Sequence, residues 1–439
     1  MRTTALHVRL LMRVALVTVY SHPGCTLKDV AGGYGTVFEV GDSWRARLLE
    51  AAKARLADLP PLVLGYLSAQ LRAAGHAVSL VEVRDGVAPE VDAAIVLSSI
   101  VDCEAERALL ERLRERGVRS LVIGAHATAR PQRYADVADV VVRGEPENLG
   151  AALLDLADGV AEAGSVSDLD ALPFPDWSPF PTDRYRYAFL SRGITLPVSS
   201  ARGCPYACGY CPWRVTAAFR ERDPARVAAE VAHLRDRYGA TGVSFRDPLF
   251  NLDPDRVRAI ANALMPLGMR FSGEMRADRL DEGLLVLLWR AGLRSLEIGV
   301  ESVDRELLGA HKRKPPELAQ IERVVKVAQR LGVRVICNYL LGLPEDDERT
   351  MRETVDWAKR LDSFAVQFTV ATPYPGTTLE AKAAPLPPEA LTGFRPSVPH
   401  PTMSGDAIAA LREEAYVSYH FRPRYMWRFA RHAAAALWD

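Results

Sequence analysis

Three of the six cysteines in this chain fall in one short run, Ser199-Ser200-Ala201-Arg202-Gly203-Cys204-Pro205-Tyr206-Ala207-Cys208-Gly209-Tyr210-Cys211. Intervals of three residues and then two between Cys204, Cys208 and Cys211 let one loop bring its thiolates to three corners of one iron–sulfur cluster. A [4Fe–4S] cluster ordinarily takes four thiolates. No fourth cysteine lies nearby, so one iron is expected to stay open to a small ligand. Zinc sites use two separated pairs instead. Cys25 and Cys103 have no partner spacing and read as structural. Cys337 reads as a small core residue, with a radical-quenching thiol as the alternative.

The segment around the cysteines must position them. Residues 195–201 read as a strand that runs straight into the cysteine loop. Further strands are expected at 242–246, 270–275, 294–300, 333–341 and 365–370, separated by helices that start near Asp223-Pro224, Asp281, Pro315 and Glu348. Regular alternation predicts parallel strands curling into a partial (β/α)6 barrel, with function at their carboxyl ends. Those ends are polar: Arg246-Asp247, Glu274, Arg276, Glu297, Glu301-Ser302, Asn338 and Tyr374-Pro375-Gly376. Each carboxylate alone suits a rim ion pair. Together they suit a zwitterionic nucleotide, which needs carboxylates or amides for ribose hydroxyls and an arginine for its carboxylate.

The cysteine spacing, with the aromatic Tyr210 just before the third cysteine, resembles the signature of the radical SAM superfamily. The resemblance implies that Cys204, Cys208 and Cys211 hold the cluster and that S-adenosylmethionine chelates its open iron. Reductive cleavage then yields a 5′-deoxyadenosyl radical that abstracts hydrogen from carbon. It also implies that Glu274 and Arg276 contact the ribose and carboxylate of S-adenosylmethionine. Leu296-Glu297-Ile298-Gly299-Val300-Glu301 looks like the family's strand-four motif, and Leu340-Leu341-Gly342-Leu343-Pro344 like its adenine-flanking turn. Tyr210, Glu297, Gly299, Asn338, Gly342 and Leu343 therefore join the expected cofactor contacts, with Glu297, Glu301 and Asp247 as candidate catalytic carboxylates. Arg246-Asp247-Pro248 departs from the pair of acids usual there.

Ahead of the barrel, strand signals at 13–20, 77–83, 93–99, 120–124 and 139–143 alternate with helices at 61–74 and 104–116. This pattern predicts an open, Rossmann-like parallel sheet whose ligands sit at the strand carboxyl ends, near Ser21-His22-Pro23, Ser98-Ser99 and Gly124 to Thr128. It is similar to the cobalamin-binding-type domain that precedes many radical SAM domains, so cobalamin is a possible cofactor. The D-x-H-x-x-G ligand motif is absent, and His126 reads first as a hydrogen-bonded loop residue and second as a ligand contact. A long connection between Tyr20 and Pro61 carries Gly32-Gly33-Tyr34-Gly35 and a helix at 44–56. It reads equally as a packed lid or a ligand contact, and as a lid it could fill the room a corrin needs.

These readings divide the chain into a Rossmann-like domain (13–160), a proline- and aromatic-rich linker (161–193), the barrel (194–382) and a short helical tail (383–439). The tail opens at Pro385-Leu386-Pro387-Pro388 and ends in a basic amphipathic stretch, expected to pack on the barrel rather than on a membrane. The chain has 55 basic and 55 acidic residues, a balance that disfavours a nucleic-acid partner. No apolar span long enough for a membrane helix and no cleavable leader is read, and the sparse cysteines suit the cytoplasm. Two outcomes for the substrate radical are weighed. The first is dehydration and deoxygenation of a diol in a small polar intermediate of natural-product biosynthesis, such as an aminoglycoside, with a separate reductase acting on the product. The alternative is cobalamin-dependent C-methylation, and a non-catalytic corrin or S-adenosylmethionine sensor is a minor third. Flavodoxin or ferredoxin is the expected electron donor.

Overall fold

A computed structural model of the chain describes residues 11–22, 25–84, 86–190, 193–383 and 386–438. Pro23 and Pro385 of the motifs above lie outside these residues, as do residues 1–10. Two six-stranded parallel sheets dominate. The first runs in the spatial order Ala77–Val83, Arg13–Val19, Ala93–Leu97, Arg119–Ile123, Val140–Gly144 and Gly159–Gly164. Val14 to Val19 are all buried, as expected of a β-branched central strand covered on both faces by crossover helices. Leu62–Ala73 and Cys103–Glu115 supply two of those helices. The sixth strand, Gly159–Gly164, was not expected from its sequence. Its Gly-Val-Ala-Glu-Ala-Gly run lacks an apolar face and is mostly exposed, and only pairing with Val140–Gly144 makes it an edge strand.

The second sheet keeps chain order: Thr195–Val198, Gly242–Phe245, Arg270–Met275, Leu293–Glu301, Arg334–Leu341 and Ala365–Val370. The first and last strands do not pair, so the barrel stays open on one side. Aspartate caps start its helices. Asp223 accepts from the amides of Ala225 and Arg226 ahead of Pro224–Tyr238, and Asp253 does the same for Asp255 and Arg256 ahead of Pro254–Leu264. Each cap is followed by proline at the first helical position, where no amide donor is missed. Asp281 and Asp347 cap two later helices through single bonds. The Pro254–Leu264 helix had not been singled out in the sequence.

The linker pins the two sheets as expected. Trp177 is fully buried, and a Cβ on Gly65 would come within 2.6 Å of its ring, so only glycine admits the indole there. Trp177 N donates to Tyr238 Oη at 3.0 Å, across to the barrel side. In the tail, Gly405–His420 and Pro423–Trp438 are helical. Arg422, Arg424 and Arg428 converge on Asp362, at 3.0, 3.0 and 3.3 Å, so the basic stretch is spent on the barrel. Among the described residues no helix is long and apolar enough to cross a membrane.

Candidate active site

The carboxyl ends of the barrel strands open on a cavity of about 360 Å³. Cys204, Cys208 and Cys211 line it from the loop after the first barrel strand. That loop is fixed by backbone bonds: Gly209 N to His311 O at 2.8 Å, Leu379 N to Gly209 O at 3.0 Å, and Cys211 N to Cys208 O at 3.2 Å. Among the described residues no three cysteine, histidine or acidic side chains stand close enough to share one metal ion. Three thiols lining one cavity can each take a separate iron of one cluster. Burial raises the Cys204 thiol and pushes Cys211 up to about 12. Their thiolates therefore need cations beside them, and cluster iron would provide that charge together with the nearby Arg313.

Facing the thiols, Glu274, Glu297, Glu301, Arg276 and Asn338 line the same cavity. Burial and then the neighbouring Glu297 push Glu274 up to about 8, against the pull of Arg246. Tyr187 Oη donates to Glu297 Oε1 at 3.1 Å. Glu301 sits at φ 69, where the pairing with the next strand shifts register after Gly299. A left-handed glutamate is a strained conformation that surrounding contacts must hold. Here Arg313 holds it, with Nη2 3.3 Å from Glu301 Oε1 and 2.9 Å from Gly299 O. Arg276 is buried and doubly bonded to Asp278, at 2.9 and 2.6 Å, with its guanidinium 4.8 Å from the Tyr206 ring centroid.

Four buried polar atoms of the residues around this cavity have no partner: Tyr210 Oη, Arg276 Nη1, Arg313 Nε and Asn338 Oδ1. Native interiors pair nearly all such groups, so a cluster of orphans beside a cavity marks where a ligand completes them. Two free guanidinium donors suit a carboxylate, and an amide oxygen suits an ammonium or hydroxyl. That donor set fits the amino-acid end of S-adenosylmethionine.

Three of the expected site residues stand elsewhere. Asp247 is 1% exposed and outside the cavity lining, and its carboxylate is taken up by Ser200, whose amide donates at 2.6 Å and whose hydroxyl also bonds it. It braces the root of the cysteine loop and does not reach the chamber. Gly342 and Leu343 also lie outside the lining. Gly342 packs on Ile408, and Leu343 is buried in a cluster that Tyr210 joins, while Leu340 reaches the cavity in their place. Residues missed in the sequence are Arg313, Tyr187, Asp29 and Lys53, all in the lining. Asp29 comes from the long connection and pairs with Arg246 at 3.1 Å. A charged pair of such distant residues leaves no spacing signal.

Residues 198–358 match the radical SAM superfamily. The chain carries a radical SAM domain. It is 25% identical over 415 residues to an uncharacterised methyltransferase of Pyrococcus horikoshii, over 83% of this chain and 88% of the relative. It is 23% identical over 367 residues to the anaerobic magnesium-protoporphyrin IX monomethyl ester cyclase of Rubrivivax gelatinosus, over 73% of this chain and 65% of the relative. In fold it is similar to the radical S-adenosylmethionine methyltransferase TsrM of Kitasatospora setae, solved with cobalamin and a [4Fe–4S] cluster. That likeness has a TM-score of 0.60 at 16% identity and spans 93% of this chain and 82% of the other. The radical SAM protein described here thus shares its N-terminal parallel sheet with the TsrM fold, and its cofactors are a [4Fe–4S] cluster and S-adenosylmethionine. At the end of this sheet, His126 is engaged within the chain. His126 is 1% exposed, with Nδ1 2.9 Å from Tyr134 Oη, and burial lowers it to about 4.

Proposed function

We propose that this radical SAM enzyme methylates a carbon of a small polar substrate held in the chamber. The observation that carries the radical chemistry is the meeting of three thiols with four orphaned polar atoms around one cavity. Methyl transfer is supported by the relatives, since the Pyrococcus horikoshii protein and TsrM are both named as methyltransferases. No relative named above is a deoxygenase, so the comparisons favour methylation over the deoxygenation expected first from the sequence.

When bound, the cluster supplies the electron that cleaves S-adenosylmethionine. The chain's own residues do the rest. Arg276 and Arg313 hold the carboxylate, Asn338 the amino group, and Glu297, oriented by Tyr187, a ribose hydroxyl. The walls of the chamber restrict the access of water to the radical. Glu274 holds a proton at neutral pH and can exchange it with a substrate hydroxyl. That proton favours a second reading, dehydration of a diol, in which a chamber acid protonates the departing hydroxyl. Either reaction suits natural-product biosynthesis in the cytoplasm, with flavodoxin or ferredoxin as electron donor, and a separate reductase in the dehydration case. We retain the divisions 13–160, 161–193, 194–382 and 383–439 as the working domain limits.

The test is anaerobic reconstitution with iron and sulfide, reduction, and assay for 5′-deoxyadenosine. Cys204→Ala, Cys208→Ala and Cys211→Ala are each expected to abolish it, and a variant that still forms it removes that cysteine from the site. With substrate, methylation releases S-adenosylhomocysteine beside 5′-deoxyadenosine, whereas dehydration releases 5′-deoxyadenosine alone.

A further inference from the structure

Ligands of an open parallel sheet occupy the crevice at its strand carboxyl ends. In this chain those ends face the cysteine loop of the barrel, and residues 25–40 lie between them. Cys25–Leu27 and Thr36–Phe38 pair as an antiparallel ribbon, joined through a 3-10 turn at Ala31–Gly33. The turn is packed from both sides. A Cβ on Gly32 would stand 3.0 Å from Pro212, next to Cys211, and a Cβ on Gly33 would stand 3.3 Å from Ala125 at the end of a sheet strand. Adjacent residues thus touch the barrel loop and the sheet at once. The crevice is one backbone thick.

The rest of the segment closes the remaining edges. Gly35 packs on Ser99, 3.3 Å from a would-be Cβ, and Ile100 N donates to Tyr34 O at 2.8 Å. Tyr34 is fully buried, stacks on Tyr374 at 5.7 Å and donates to Pro375 O at 2.9 Å. Lys28 drives its ammonium into the sheet end, bonding Ser99 Oγ at 2.9 Å, Asp102 at 2.9 Å and Glu106 at 3.0 Å. Glu106 also accepts from Tyr134 at 2.9 Å, and Tyr134 pairs with His126. Ser98 Oγ accepts from Ala127 N at 3.0 Å. The polar groups named here are engaged by the chain itself.

We propose that residues 25–40 are a built-in replacement for a corrin, so that this enzyme works with its crevice closed and without cobalamin. The same segment then roofs the chamber: Asp29, Val30, Ala31 and Thr36 line the cavity with the cysteines. The inference rests on the radical SAM reading and not on the fate of the substrate radical.

The test is expression with hydroxocobalamin, anaerobic purification of the full chain, and corrin extraction beside an iron count, with TsrM loaded identically as the positive control. The expected result is full iron, 5′-deoxyadenosine formation, and corrin at the level of a mock preparation. One corrin per chain overturns the inference while leaving the radical SAM reading intact. Normal iron without 5′-deoxyadenosine fails that reading and with it the inference. A second measurement titrates hydroxocobalamin into the purified protein and follows thermal unfolding. No shift is expected, and a saturable rise in midpoint overturns the proposal without any variant having to fold.

Discussion

Replacing Glu274 by glutamine removes a carboxyl that burial and Glu297 push from 4.5 up to about 8. A folded-state value above the unfolded one means that the folded chain binds the extra proton, so stability falls as pH rises from the unfolded value toward the folded one. At about 1.36 kcal/mol per pH unit, flattening near the folded value, the step from pH 6 to pH 8 costs the wild type about 2 kcal/mol. Glutamine cannot ionise and is expected to lose none of this. The assay is urea unfolding of apoprotein at the two pH values. With an urea dependence of about 2 kcal/mol per molar, the wild-type midpoint should fall about 1 M further than that of Glu274→Gln. Glu297→Gln removes the like charge and should shrink the wild-type drop. Parallel pH dependence in wild type and Glu274→Gln would refute the reasoning, because it would mean that the carboxyl ionises in the folded chamber as freely as in water.

Two further outcomes follow from the same contacts. Arg276→Lys keeps the charge but loses the planar donor set, including the unpaired Nη1. It should weaken S-adenosylmethionine binding to the cluster-loaded protein by about 10- to 100-fold, the worth of one charge-assisted hydrogen bond. Unchanged affinity by calorimetry would remove Arg276 from the carboxylate site. Lys28→Met leaves Asp102 and Glu106 buried without their cation, which should cost about 3–5 kcal/mol in urea unfolding. A loss under about 1 kcal/mol would show that this ion pair is not sealed from water.

Much of the architecture was legible because it is local. Strand–helix alternation and Asp-Pro helix caps lie within a few residues of one another, and the cysteine spacing is itself local. The polar strand ends pointed to the chamber for the same reason, since barrel topology sends every strand end to one rim. What stayed hidden depends on contacts between distant residues. Asp247 read as a chamber acid because its strand position is right, and only its bond to Ser200 shows that it braces the loop. Arg313 sits on an irregular stretch after the fourth strand, and nothing in its neighbours announces the bond to Gly299 O. The glycines of the 32–35 turn read equally as ligand contact or packed lid, and Pro212 and Ala125, which decide between the two, lie far along the chain.

The Tyr34–Pro375 hydrogen bond joins residues 341 positions apart. Contacts of such sequence separation form only after the loop-closure entropy of the intervening chain has been met, so they come late in folding. Another anchor of residues 25–40 lies much nearer in sequence, Lys28 to Asp102 being 74 positions apart. A chain released before its last quarter is made would have the cysteines but no Tyr374 or Pro375 on which to close.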